Sequence, residues 1–406
     1  MPIITIFSGS FCNEDLVVQD IINNTKYQLV TDKDFIPKVV SLSGMKKNKI
    51  ENTLSAKTSI FNKFTHEKER AIAYFKLSLA ETLSRNNLLI LGFAGQLVPS
   101  EATHVLKICL IAEMKFRIIN ASKKLGVSEK EAAKLIQKND ENCTAWIQTL
   151  FENNDPWDSS LYDIVIPTDK IDASSAACLI KENIVKDVMK ITENSKQSIE
   201  DFLLAAKVET LIANEGHSVK VKAENGKVTM IINKHILMLS RLEEELKGIV
   251  NKVPGIKSVE TKVGKNYHKA DIYRKYDFKV PSKVLLVDDE REFVQTLSER
   301  LIMRDMGSVV AYDGESALNM IHKDEPEVMI LDLKMPGIDG IEVLRRVKKT
   351  NPEIEVIILT GHGSESDKKT CMQLGAFAYL QKPVDINVLS DMLQKANDKI
   401  HKKISH

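Results

Sequence analysis

The chain has 406 residues, with 57 basic against 56 acidic side chains and a formal net charge of +1. So even a balance gives no global field to recruit nucleic acid or an anionic membrane, and no apolar run approaches the ~20 residues that span a bilayer. At 43% hydrophobic there is material for real cores, and the length predicts two or three domains.

Five cysteines (Cys12, Cys109, Cys143, Cys178 and Cys371) are scattered, odd in number and without metal spacing. They read as free thiols in a reducing compartment. The opening M-P-I-I-T-I-F-S-G-S lacks a basic leader region and reads as a buried strand, not a signal peptide. A soluble, cytoplasmic protein is expected.

Ile3–Phe7 reads as a strand, S-G-S-F-C-N-E-D as a turn, and the apolar spacing beyond it as a helix to Ile22. Strand, small-residue turn and helix is the layout of a phosphate-binding loop. That loop needs glycines, so that backbone N–H groups can wrap phosphate, and a Lys-Ser/Thr pair for charge and metal. Gly9 is its only glycine, and Asn13, Glu14 or Asp15 stand where the pair belongs. Two carboxylates suit a helix N-terminus but repel a polyphosphate, so ATP binding in the usual way is not expected. Cys12, near that terminus, could carry a lowered pKa, but a buried structural thiol is the expectation.

Glu67–Arg85 is amphipathic, with Ala71, Tyr74, Phe75, Leu79 and Leu83 on one face. Strands are predicted at Leu88–Leu91, Val105–Ile111 and Tyr162–Ile166. Helices are predicted at Glu113–Leu125 and from Ala173, the latter capped by Asp172, and Ser128 with Glu131 forms a capping box opening another. The alternation predicts an α/β domain with a parallel sheet over residues 1–195.

Within it, L-L-I-L-G-F-A-G at 88–95, V-L-K-I-C-L-I-A-E-M-K-F-R-I at 105–118, L-G-V-S-E-K-E-A at 125–132 and L-Y-D-I-V-I-P-T-D at 161–169 resemble the cytidylate-kinase-like branch of nucleoside monophosphate kinases. The resemblance implies a P-loop-kinase-like fold and, after the capping-box helix, a lid that supplies arginine to the transferring phosphoryl group. Lys138–Cys143 reads K-N-D-E-N-C, without arginine, and phosphoryl transfer depends on such cationic positioning. A degenerate, inactive kinase fold is expected. Gly9 and Arg117 are the remaining candidate nucleotide contacts, Arg117 being either that or a solvated helix residue. Gly92 and Gly95 either permit close ligand approach or simply form a loop.

Ser198–Asn214 reads as a helix, and H-S-V-K-V-K-A with V-T-M-I-I-N as a hairpin around Glu224–Lys227, with Asn225-Gly226 in a primed turn. Leu237–Val250 reads as a helix and 253–263 as a third strand. This αββαβ order over 196–265, with P-G-I-x-x-V near its close, resembles a BON domain, a module associated elsewhere with membrane or lipid contact. An interaction or dimerisation surface is expected here instead, with no membrane contact and no catalytic group. The linker 266–282 is basic and carries Tyr267, Tyr273, Tyr276 and Phe278. Basic residues interleaved with aromatics can bind single-stranded nucleic acid, but packing against neighbouring domains is the expectation.

Val284–Val287 ends in Asp288 and Asp289, Val328–Leu331 in Asp332, and Glu355–Leu359 in Thr360; Ala378–Gln381 delivers Lys382 before Pro383. Short apolar strands between helices predict a parallel sheet, whose carboxyl ends face the ligand crevice. Two like charges ~4 Å apart repel by roughly 4 kcal/mol at an effective dielectric near ~20, so a cation must offset them. Mg²⁺ fits: it takes one or two carboxylates, keeps waters and accepts a phosphoryl oxygen. A carboxylate beside it can attack phosphorus. Any one strand-end Asp is more often a helix cap; the joint arrangement carries the reading.

The pieces D-D at 288–289, L-D-L-K-M-P-G-I-D-G at 331–340, I-I-L-T-G at 357–361 and G-A-F-A-Y-L-Q-K-P at 375–383 resemble the receiver domain of two-component response regulators. The resemblance implies a flavodoxin-like (βα)5 fold over 283–406 and Asp332 as phosphoacceptor. Asp289 and Asp332 would bind Mg²⁺ directly, Asp288 through water, and the Lys334 carbonyl would complete the set. Thr360 and Lys382 would bind phosphoryl oxygens. Thr360 and Tyr379 hold the switch positions, though an aromatic in an edge strand also reads as packing, and Lys382–Pro383 is expected to be cis. The implied partner is a sensor histidine kinase or a phosphotransfer protein, and the responding interface is a second protomer or the chain's own N-terminal part. No DNA-binding helix pair follows the receiver, so direct DNA contact is not expected. Two rival readings are a live nucleoside monophosphate kinase switched by the receiver and a phosphate sink without output. The tail Lys395–His406 extends a helix with Leu389, Met392, Leu393 and Ala396 on one face and solvated lysines.

Overall fold

The computed structural model describes residues 2–56, 59–236, 238–267, 280–361 and 363–404. Two compact units are present: Met1–Thr58, Lys68–Asn214 and Ser218–Tyr273 form one, and Ser59–Glu67, Glu215–His217 and Arg274–His406 the other.

In the first unit β1 (Ile3–Ser8), β2 (Gln28–Thr31), β3 (Leu88–Leu91), β4 (Val105–Ile111) and β5 (Ile164–Pro167) form a parallel sheet in the order β2-β3-β1-β4-β5. Alternate strand residues point to opposite faces. Ile3 and Phe7 therefore pack with Phe75, Leu79 and Trp146 on one side, while Ile4 and Ile6 pack with Val17, Ile21 and Ile180 on the other. Helices cover both faces, as a parallel sheet requires. The strand read from Tyr162 begins at Ile164, after a 3₁₀ turn over Ser159–Leu161. The amphipathic helix from Glu67 ends at Thr82.

One expectation fails in this unit. Lys138–Cys143 is not a lid segment beyond the capping-box helix; it lies inside a single helix, Glu129–Phe151. No Gly or Pro interrupts that stretch, and Ala132, Ile136, Cys143, Trp146 and Ile147 keep one buried stripe.

The same unit carries a three-stranded sheet, β6 (Lys220–Glu224), β7 (Lys227–Ile232) and β8 (Ser258–Val263), with β6 and β7 antiparallel and β7 and β8 parallel. Helices Glu193–Asn214 and Leu239–Val250 complete the αββαβ order; Leu237, read as the start of the second helix, lies outside the described residues. Asn225 (φ 51°) and Gly226 (φ 84°) make the primed turn that matches strand twist. Tyr267 is buried in this module's core; Tyr273, Tyr276 and Phe278 lie outside the described residues.

In the second unit β9 (Val284–Val287), β10 (Ser308–Ala311), β11 (Val328–Leu331), β12 (Glu355–Thr360) and β13 (Ala378–Gln381) form a parallel sheet in the order β10-β9-β11-β12-β13. This is the five-stranded α/β layout expected of a flavodoxin-like receiver. Its last helix, Ile386–Ile404, buries Leu389, Leu393 and Ala396. Lys399 is not merely a solvated end: its Nζ lies 2.8 Å from Glu355, a buried carboxylate at the start of β12. Among the described residues no helix is long and apolar enough to cross a membrane.

Candidate functional site

Because β9, β11, β12 and β13 run parallel, their carboxyl ends share one edge. Backbone bonds fix those ends in register: the Asp332 N–H donates to the Val287 carbonyl (2.9 Å) and the Lys382 N–H to the Thr360 carbonyl (3.0 Å). The polar residues that follow each apolar strand are thereby gathered into one cup.

In that cup Asp288, Asp289 and Asp332 each offer a carboxylate oxygen, all within 4.8 Å of one another. Asp288 and Asp332 are buried and Asp289 is exposed. The Lys382 ammonium lies 2.7 Å from Asp288, 2.9 Å from Glu290 and 3.3 Å from Asp332. It also lies 4.6 Å from the Phe293 ring centroid, a favourable placement for a cation. Glu290 and Phe293 are additions to the predicted set; the acid directly after the D-D pair was the sequence signal for the first.

Burial raises the Asp288 carboxyl above its ordinary range, against the pull of Lys382. For Lys382, burial alone would lower the pKa, but its hydrogen bonds to Asp288 and Glu290 outweigh it and hold the ammonium above the usual lysine value. The amine is therefore a fixed cation aimed at the acidic edge.

Local turns set the Asp332 carboxylate. Asp332 Oδ1 accepts from the Leu333 N–H (2.6 Å) and, more weakly, from the Lys334 N–H (3.4 Å), while Oδ2 faces Lys382. Gly340 opens the next helix against the Asp332 carbonyl and the Leu333 backbone, where any Cβ would clash. Lys334 itself is exposed on the connecting loop. Thr360 is fully buried at the end of β12. Tyr379 points inward: a Cβ on Gly363 would overlap its hydroxyl and press on the Thr360 methyl. That hydroxyl is buried without a hydrogen-bond partner among the described residues. The Lys382–Pro383 bond is cis, as expected.

The loop after β1 is built differently. Arg117, on helix Met114–Leu125, is 6% exposed, so it is not a solvated helix residue. Its Nε donates to the Ser10 carbonyl (2.9 Å), and its two terminal nitrogens form a bidentate pair with Asp140 at 2.9 and 2.6 Å. The guanidinium lies close to Gly9, which packs against it and against the Cys12 sulfur. Phe11 and Asn13 hold left-handed backbone, and Asn120 bridges the Phe11 carbonyl and the Asn13 side chain. Burial raises the Glu14 carboxyl. Cys12 is the expected buried structural thiol, and burial pushes its pKa up to about 12. Gly92, with φ 122°, stands beside Asp32, whose carboxylate accepts from the Phe93 and Ala94 N–H groups (both 2.9 Å).

Comparison with known proteins finds two families on this chain. Residues 284–394 match the response regulator receiver domain, and residues 3–170 match the cytidylate kinase-like family. A curated relative from Guillardia theta, described as "Probable transcriptional regulator ycf27", is 41% identical over 107 residues, which is 26% of this chain and 42% of the relative. The chain thus covers less than half the length of that relative. Among solved structures, a CheY-like receiver domain protein from Methanospirillum hungatei is 25% identical, with 30% of this chain and 96% of that one covered and a TM-score of 0.29. A receiver domain protein from Clostridium thermocellum is 34% identical, with 30% and 98% covered and a TM-score of 0.29.

Proposed function

We propose that this chain, which joins a cytidylate kinase-like domain to a receiver domain, is a two-component response regulator phosphorylated on Asp332 by a sensor histidine kinase or a phosphotransfer protein. The observation that carries this reading is the Lys382 ammonium held against Asp288, Glu290 and Asp332 at the carboxyl edge of the sheet. An Asp332 oxygen attacks the phosphorus of a phosphohistidine, a P–O bond forms as the P–N bond breaks, and the imidazole departs. Lys382 and the Thr360 hydroxyl receive the phosphoryl oxygens. Thr360 and Tyr379 then re-seat, and the exposed face that follows β12 changes its contacts in response to the added charge on Asp332.

The donor set suits Mg²⁺, a hard cation that prefers carboxylate and carbonyl oxygen. Asp288, Asp289, Asp332 and the Lys334 carbonyl would hold it, with Asp288 acting through water. When bound, the ion supplies charge to offset the carboxylates and the incoming phosphoryl group.

On this reading the N-terminal domain is an effector without phosphoryl-transfer activity. Its support is that Arg117 is engaged by Asp140 and Ser10, while the preceding loop offers carboxylates where a polyphosphate would need cations. Output passes through protein contacts, and domain limits of 1–195, 196–265, 266–282 and 283–406 follow from the same reading. Radiolabelled acetyl phosphate with Mg²⁺ labels the parent chain, and Asp332→Asn loses at least about 90% of that label; equal labelling of both would reject the assignment.

A further inference from the structure

Ser59–Glu67 lies within the sequence span of the cytidylate kinase-like match, yet belongs to the same compact unit as the receiver. Its side chains meet the receiver at the amino-terminal ends of β9, β10 and β11, the sheet edge opposite the carboxylates. Ser59 Oγ donates to Asp324 Oδ2 (2.5 Å). Glu67 lies 2.8 Å from the Lys283 ammonium, with Asp324 at 3.6 Å on the same nitrogen. Phe61 is fully buried, its ring centroid 5.8 Å from that ammonium. Phe64 presses on Gly307, where a Cβ would sit only 2.6 Å from two of its carbons.

These contacts complement one another physically. Lys283 is 1% exposed, and an ammonium so buried is stable only where carboxylates compensate its lost hydration; Glu67 supplies one. Gly307 leaves open the space that the Phe64 ring fills. The segment also satisfies its own backbone: Phe64 and Thr65 N–H donate to the Phe61 carbonyl and His66 N–H to that of Asn62. It therefore buries two rings without stranding polar backbone groups.

We infer that Ser59–Glu67 is an intrachain docking element for the receiver, in which a hydroxyl, two aromatic rings three residues apart and a carboxylate seat on a surface built by Lys283, Asp324 and Gly307. At roughly 3.3 Å per residue this surface lies about 16 Å along β9 from Asp288, so its occupancy leaves the acidic cup open to a phosphoryl donor. The element ties a stretch from the N-terminal part of the sequence to the strand that carries two of the three carboxylates.

Hydrogen exchange read by mass spectrometry on the full chain tests this inference, using the parent, Phe64→Ala and Lys283→Met. In the parent, amides of 61–66 are protected. In both variants peptides covering 60–66 and 307–311 exchange about tenfold faster or more, while those covering 88–91 and 356–359 keep parental protection. If Lys283→Met also loses protection at 356–359, the receiver itself has opened, and Phe64→Ala decides from the other side of the contact. Free exchange of 61–66 in the parent, or an unchanged 307–311 in Phe64→Ala, overturns the assignment.

Discussion

At the residue scale the chemistry of the receiver cup is a balance of charge. Lys382 faces three carboxylates at 2.7–3.3 Å, and the most buried cost of that arrangement falls on Asp288. Its folded-state pKa is raised, burial being the largest cause. A raised carboxyl means the native state binds more protons than the unfolded one between the unfolded value, near ~3.9, and the raised folded value. Stability therefore falls as pH rises through that window. Asp288→Asn should remove this slope and raise stability at neutral pH, since Asp332 and Glu290 still face Lys382. Urea unfolding of both proteins at pH 7 checks it; a less stable Asn variant would contradict it. The same substitution should weaken Mg²⁺-dependent labelling of Asp332 by removing one oxygen donor.

At the scale of elements, two local devices hold the N-terminal domain. Ser128 accepts from the Glu131 N–H, and the Glu131 carboxylate accepts from the Ser128 N–H, closing the capping box of the 23-residue helix that carries Asp140 and Trp146. Ser128→Ala should lower stability by about 1 kcal/mol, visible as a lower thermal midpoint with an unchanged far-ultraviolet spectrum before melting. Asp32 does more, because it joins the end of edge strand β2 to the turn after β3 through the Phe93 and Ala94 N–H groups. Burial pushes its pKa up to about 6, against the pull of those two donors. The sign matches that of Asp288: stability is lost as pH rises from about 4 through about 6, by some 2–3 kcal/mol at most. Asp32→Asn should flatten the profile in that interval. Parallel pH curves from denaturant melts would show it, and two superimposable curves would refute it.

At the scale of the whole molecule, phosphorylation has to alter contacts if the receiver drives an output. Small-angle scattering of the full chain with Mg²⁺, before and after acetyl phosphate, should change for the parent and not for Asp332→Asn. An unchanged profile in the parent would favour the phosphate-sink reading. Much of this organisation could be read from residue order alone. Runs such as V-L-L-V and V-M-I-L end abruptly in aspartate, so strand and site announce each other. The edge strands β2 and β10 carry no such signal, since Gln28–Thr31 is largely exposed and Ser308–Ala311 is short and mixed.

The sequence by itself determined the parallel α/β character of both large domains, the αββαβ order between them and the acidic cup, because strand periodicity and strand-end chemistry are local properties. Only the tertiary structure decided that Arg117 is matched by Asp140 and that Lys138–Cys143 continues a helix instead of forming a lid. It alone brought Glu67 to Lys283 across 216 residues of chain. Ion pairing and burial depend on distance in space, and residues far apart in sequence carry no local mark of the partner that folding will give them.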